Sequence, residues 1–141
     1  MSNIIQIASF TWGTNAGFNL GQGKPQVSLP STSFVNIVRG VDQTSVMVLQ
    51  NLNRGQSTQN LVISEIINQG LTSQLLATYT FSNIWVTSES IAAFDNDVDR
   101  PVENLTFAFT TYKYQYYTYN ADGNPLATYT TCYDFVKNAV C

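Results

Sequence analysis

The chain has 141 residues, 44% of them hydrophobic and only 11% charged, with a formal net charge of -3. A single domain of this length can bury a sizeable core without disulfides, and the six Lys and Arg residues, scattered from Lys24 to Lys137, form no basic stripe that could displace counterions from nucleic acid. There is no histidine, which excludes Ser-His-Asp and Cys-His catalysis and every histidine-based metal site.

With so few charges, Ser, Thr, Asn and Gln must cover most of the surface. Interspersed charge is what keeps copies of a protein apart in solution, so this composition points to self-association. The opening "MSNIIQIASFTWG" has neither the positive start nor the long apolar run of a signal peptide, and no stretch is long enough to span a bilayer. Export by the general secretory route and membrane insertion are therefore not expected.

Dense β-branched and aromatic residues, without sustained helical periodicity, predict a mainly β protein. Asn3 to Trp12 reads as the first strand, and Gly13 to Gln26, rich in Gly and Asn, as a long flexible loop. "VSLPSTSFVNIVR" carries one or two short strands broken at Pro30, because proline cannot donate to a central ladder. The one predicted helix covers about Thr44–Asn53: Asp42, Thr44 and Ser45 offer capping oxygens, Val48, Leu49 and Leu52 recur at helical spacing, and Gly55 suits the stop.

"NLVISEII" and "SQLLATYTFSNIWVTSES" then read as strands around an Asn68-Gln69-Gly70 turn. The second changes phase: Leu75, Ala77, Tyr79 and Phe81 share one parity, whereas Ile84 and Val86 take the other. Phe107 and Phe109 likewise give way to Tyr112, Tyr114 and Tyr116, and a bulge near Thr110 and Thr111 would reconcile them. Asp122-Gly123 supplies the last hairpin turn. Long strands with bulges and tight turns predict a small closed or split antiparallel β-barrel with one short helix at its side, in a single domain spanning residues 1–141.

Sites for chemistry are sparse. Asp95, Asp97 and Asp99 alternate as calcium ligands do, but Arg100 and Thr106 stand where an EF-hand loop needs Gly and Glu, so a solvated acidic loop is expected. "GQG" at Gly21 to Gly23 lacks the setting of a phosphate loop. No catalytic residue, metal site or cofactor is expected. The tyrosine-rich stretch from Tyr114 to Phe135 alternates, which places about half of the rings inward as core and leaves the rest for an interface or a sugar-stacking platform. Cys132 and Cys141 are separated by nine steps, roughly 30 Å if extended. They are either free thiols or a disulfide, within one chain if the tail folds back, or between subunits.

Several separated motifs together resemble the Hcp family, the tube-forming proteins of bacterial type VI secretion systems. "SFTWG" ends in Trp12 and Gly13, as does that family's Ser-Trp-Gly-like motif; "GFNLGQGKPQ" stands for its Gly-rich extended loop. "VRGVDQTSVMVLQNLNRG" is similar to its Asp-x-x-Ser helix start, with Asp42 and Ser45. "ENLTFAFTTYKYQYYTYNADG" runs from Glu103 to an Ala-Asp-Gly turn at Gly123, and Asp134 and Asn138 meet its closing Asp-x-x-x-Asn. The family usually has a further strand before the Ser-Trp-Gly motif, for which this chain begins too late, so one edge is expected to be open or covered by a neighbour.

The resemblance implies hexameric rings that stack into a hollow tube inside a contractile sheath, propelled with a spike and able to carry effectors, without catalysis. It implies a cytoplasmic protein that leaves through its own machine, without a signal peptide. It also implies ring-to-ring contact through the loop from Thr14 to Pro25, with Phe18, Leu20 and Lys24 on it. The alternatives are an extracellular filament built from the same barrel and a carbohydrate-binding β-sandwich.

Overall fold

Alternation of apolar and polar residues carries through into strands that divide between two main sheets. The structure is a computed structural model and describes residues 5–21, 23–28, 34–58, 60–70, 72–93 and 100–141. Its elements are β1 (Ser9–Thr11), β2 (Phe18–Gly21), β3 (Lys24–Val27), β4 (Phe34–Gly40), α1 (Thr44–Arg54), β5 (Leu61–Gln69), β6 (Thr72–Ser82), β7 (Trp85–Ala92), β8 (Val102–Ala108), β9 (Thr111–Tyr119), β10 (Pro125–Asp134) and β11 (Ala139–Val140). All pairings are antiparallel: a four-stranded sheet β1-β4-β8-β7, a five-stranded sheet β11-β10-β9-β6-β5 and a separate hairpin β2-β3. No sheet among the described residues closes on itself. The architecture is therefore the split form of the expected β fold. Pro30, Asp95, Asp97 and Asp99 lie outside the described residues.

The chain alternates between two compact units, residues 1–58 with 84–109 and residues 59–83 with 110–141. Both phase changes in the sequence fall at these crossings; the first takes the form of a bend at Asn83, and the second is not the bulge expected near Thr110 and Thr111. β6 ends at Ser82, Asn83 takes a left-handed conformation at φ 50°, and β7 then starts in the other sheet. Asparagine is among the few residues that tolerate that conformation. β8 ends at Ala108 and β9 starts in the other sheet at Thr111. The corner is tied at Thr110, whose N–H donates to the Ser82 carbonyl (3.2 Å) and whose hydroxyl accepts from the Asn83 amide (3.2 Å). Of the expected first strand, Asn3 and Ile4 lie outside the described residues; among the rest, Ser9–Thr11 form β1 opposite Asn36–Val38 of β4, and the Ala8 N–H donates to the Val38 carbonyl at 2.8 Å.

In the first unit β4 alternates cleanly, burying Val35, Ile37 and Arg39. Register sets these opposite Phe107, Leu105 and Glu103 of β8, all buried. An irregularity between Val86 and Ser88 shifts the phase of β7, so that Val86 faces Phe107 and Glu89 faces Leu105 in the ladder. Two carboxyls and one guanidinium thus occupy apolar-parity positions.

Arg39, 4% exposed, donates from Nε to Oε1 of the fully buried Glu103. The same oxygen accepts the Ser45 hydroxyl of α1 at 2.9 Å. Ser45 Oγ in turn accepts the Asp42 N–H (3.1 Å), while Asp42 Oδ1 accepts the Thr44 N–H (2.8 Å) and hydroxyl. The Ser45 hydroxyl reaching back to the Asp42 N–H supplies one half of a capping box, while the Asp42 carboxylate serves Thr44 in place of the Gln43 side chain, which makes no cap bond. The Thr44 hydroxyl, then the backbone N–H groups and the Arg39 charge, hold the Asp42 carboxyl below its ordinary range. The helix ends as its sequence indicates, with Gly55 left-handed at φ 62° and its N–H on the Asn51 and Leu52 carbonyls.

Burial lifts the Glu89 carboxyl, and hydrogen bonding to Glu103 and the Glu103 charge lift it further, to about 7, against a lowering by Arg39. No donor reaches either Glu89 oxygen or Glu103 Oε2. A proton kept on Glu89 supplies the one hydrogen bond that can join the two carboxyls.

Two outcomes follow from this cluster. Glu103→Leu removes the direct partner of a buried guanidinium, leaving it only the half-buried Asp42 at 3.6 Å, and is expected to cost roughly 3–5 kcal/mol in urea unfolding, whereas Arg39→Met with Glu103→Leu recovers most of it. Because Glu89 binds its proton more tightly folded than unfolded, its contribution is complete below pH 4.5 and declines as pH rises to about 7. Melting curves should show stability falling across that window by on the order of 1–3 kcal/mol, and Glu89→Gln should remove the slope. Asp42 acts in the opposite sense, losing its contribution only as pH falls through its lowered value.

Candidate functional site

Among the described residues, three surfaces carry exposed apolar side chains. The first is the β2-β3 hairpin, which replaces the expected flexible loop. Its ladder sets Phe18 opposite Val27, Asn19 opposite Gln26, Leu20 opposite Pro25 and Gly21 opposite Lys24. Gly23, at φ 72°, closes the turn with a conformation that a side chain disfavours. At the base the Ser28 N–H donates to the Gly17 carbonyl (2.7 Å), and Ser28 Oγ accepts the Gly17 N–H (2.6 Å). Phe18 and Leu20 share one face, and they are 63% and 64% exposed. The alternation of Phe18 with Leu20 before a Gly-containing turn was the available strand signal; the Gly and Asn content masked it.

The second surface is the rim of the five-stranded sheet. β5 is an outer strand along all of Leu61–Gln69, and β10 is outer from Pro125 to Thr131, since β11 pairs only with Tyr133 and Asp134. Val62 and Ile66 on β5, and Leu126 and Tyr129 on β10, are exposed. Natural sheets usually blunt such edges with charge, proline or cover. Here Glu65 is the one charged residue in β5, and β10 carries none before Asp134.

The third is a tyrosine-rich face of the same sheet. Ladder rows run Leu61–Phe81–Tyr112–Tyr133, Ile63–Tyr79–Tyr114–Thr131 and Glu65–Ala77–Tyr116–Tyr129. Phe81, Ile63, Ala77 and Tyr133 are buried, whereas the neighbours Tyr116 and Tyr129 are exposed. Tyr79 and Tyr114 stack at 4.9 Å between them, and the Tyr79 hydroxyl donates to Glu65 (3.1 Å). Burial and then Glu65 push that phenol up to about 12, so it stays a donor.

Of the residues singled out in the sequence, Asp42, Ser45 and Glu103 meet in one network, buried at Ser45 and Glu103 and half-buried at Asp42, which Arg39 and Glu89 complete. Those two were missed, although a charge on the apolar parity of a strand was the signal. Trp12 and Gly13 follow β1 and are half-buried, and Thr14 and Lys24 are exposed. Gly123, at φ 84°, sits in a turn that Asn120 organises by accepting the Asp122 and Asn124 N–H groups at 3.0 and 2.9 Å. Asp134 accepts the Val136 and Lys137 N–H groups, Asn138 is left-handed at φ 52°, and Cys132 is disulfide-bonded to Cys141. Among the described residues no cluster of His, Cys, Asp and Glu could hold a metal ion, and no helix is long and apolar enough to cross a membrane.

A family model described as type VI secretion system effector, Hcp, matches residues 1–116. No curated protein matches the chain. Among solved structures, the fold is similar to that of a type six secretion system protein, at 18% identity and TM-score 0.87 over 97% of this chain and 86% of that one. It is also similar to Hcp1 from Salmonella typhimurium, at 18% identity and TM-score 0.65 over 90% and 80% of the two chains. A type VI secretion system effector from Yersinia pestis aligns at 22% identity and TM-score 0.64 over 92% and 83%. These likenesses carry the fold, and the family model, spanning most of the sequence, carries the assignment: the chain belongs to the Hcp family of type VI secretion proteins.

Proposed function

We propose that this chain is the subunit of a hollow secretion tube, with its 141 residues acting as one assembling module. Six copies close head-to-tail into a ring, and rings stack through the β2-β3 hairpin. The observation that carries this reading is that hairpin: an isolated two-stranded ribbon is marginal in water, yet this one presents Phe18 and Leu20 outward. A repeated neighbour would both bury those side chains and hold the ribbon. The two outer strands of the five-stranded sheet support ring closure, because a head-to-tail ring needs two different surfaces on each subunit.

The role is structural, without catalysis or cofactor. Its partners are further copies of the chain first, then a contractile sheath, a spike and effectors carried in the lumen, with no nucleic acid. The protein waits in the cytoplasm and is exported by firing of its own machine. Low charge fits the role, since an obligate interface resembles a core cut in half.

Electron microscopy of the purified protein tests the reading: hollow six-subunit rings or stacked tubes are expected, whereas thin solid fibres would move the function to an extracellular filament. Replacing Asn19 to Gln26 by a short Gly-Ser link should leave rings and abolish tubes; unchanged tubes would place the stacking contact elsewhere. Ile66→Lys puts a charge on the β5 edge and should shift sedimentation from rings toward single subunits.

A further inference from the structure

The tail beyond Asp134 lies outside the residues matched by the family model and is built differently from the rest of the sheet. Phe135 is anchored: its N–H donates to the Thr110 carbonyl (2.9 Å) and its ring meets Tyr133 edge-on at 5.1 Å. After it the chain reverses through the Asp134 turn and the left-handed Asn138, and Ala139–Val140 lie back along β10 opposite Asp134 and Tyr133. Both β11 residues are exposed, Val140 to 75%. A two-residue strand with no buried side chain gains too little to hold itself on a sheet edge. What closes it is covalent: Cys141 is disulfide-bonded to Cys132 of β10, with Cα atoms 5.5 Å apart, and the Cys141 N–H points to the Cys132 carbonyl at 3.4 Å.

We propose that Cys132 and Cys141 form a redox-operated clasp, which sets how much of the β10 edge is open to a strand from a second copy of this chain. With the disulfide closed, β11 occupies the edge at Tyr133 and Asp134 and leaves only Pro125 to Thr131 free. With it open, Val136 to Cys141 detach and the free edge extends by those two positions. Cys141 is exposed and Cys132 is half-buried, so a thiolate can reach the bond.

In the opening step one thiolate of a small dithiol attacks a cystine sulfur, giving a mixed disulfide and one cysteine thiolate. The second thiol displaces the other cysteine, both cysteines take up protons, and the dithiol ends as its cyclic disulfide. A small-molecule disulfide, reduced to two thiols, reverses the step. Reducing cytosol favours the open state and the oxidising exterior the closed one. The partner in this scheme, a second copy, rests on the assembly reading; the clasp itself does not.

Hydrogen exchange of the full chain, with and without dithiothreitol, tests both. Intact mass should differ by two hydrogens per chain, with no disulfide-linked dimer on non-reducing gels. Amide exchange in the segment from Tyr133 to Cys141 should accelerate by at least about tenfold on reduction, while Val102–Ala108 stays protected. The Cys132→Ser/Cys141→Ser variant should match the reduced protein under both conditions. Equal exchange in the two states overturns the clasp. Faster exchange with identical assemblies by electron microscopy overturns its control of the edge. Dispersed subunits in both states would instead overturn the assembly reading, leaving the clasp to be decided by exchange alone.

Discussion

The interaction on which the first unit depends is the buried pair of Arg39 and Glu103. Removing both charges from water costs several kcal/mol per ion, and their attraction together with the Ser45 hydroxyl offsets that cost. The pair matters chiefly as a register lock. Arg39 and Glu103 are direct ladder partners, and a one-residue slip would turn one of them to the opposite face. Through Ser45 the same carboxylate fixes the first turn of α1, so a strand pair and a helix share one electrostatic anchor. Glu89 brings a second carboxyl to that anchor, and one guanidinium cannot neutralise two carboxylates.

The corner at Asn83 and Thr110 shows how a chain this short supplies two sheets. After Phe81 and after Phe109 the apolar parity changes, the strand ends and the next begins in the other sheet. Two such crossings, hydrogen-bonded to each other where Thr110 meets Ser82 and Asn83, take the place of one long strand and of the bulge expected near Thr110. Along β4 and β8 the alternation is unbroken, and the rows Val35–Phe107 and Phe81–Tyr112–Tyr133, buried except at the half-buried Tyr112, can be read from the ladder.

What remains outside these rows is unusually apolar and uncharged for a free surface: Phe18 and Leu20 on a lone hairpin, open β5 and β10 edges, Tyr116 beside Tyr129. Each would be a liability for a monomer. In the proposed assembly a neighbouring copy would cover them, and membership of the Hcp family fits that reading.

The sequence by itself determined the β class, the helix from its Asp42–Ser45 start to its Gly55 stop, the Gly123 turn, the absence of histidine chemistry and the family. These depend on local periodicity, capping and turn stereochemistry, which neighbouring residues encode. Only the tertiary structure decided that the Gly-rich stretch is a hairpin, because its pairing is set by a ladder between residues that composition marks as loop. It alone decided that phase changes are sheet crossings, since a bulge and a corner leave the same parity signature. It alone brought Arg39 and Glu89 to Glu103 and folded Cys141 back onto Cys132, because those contacts join strands far apart in the chain or need a reversal that spacing cannot reveal.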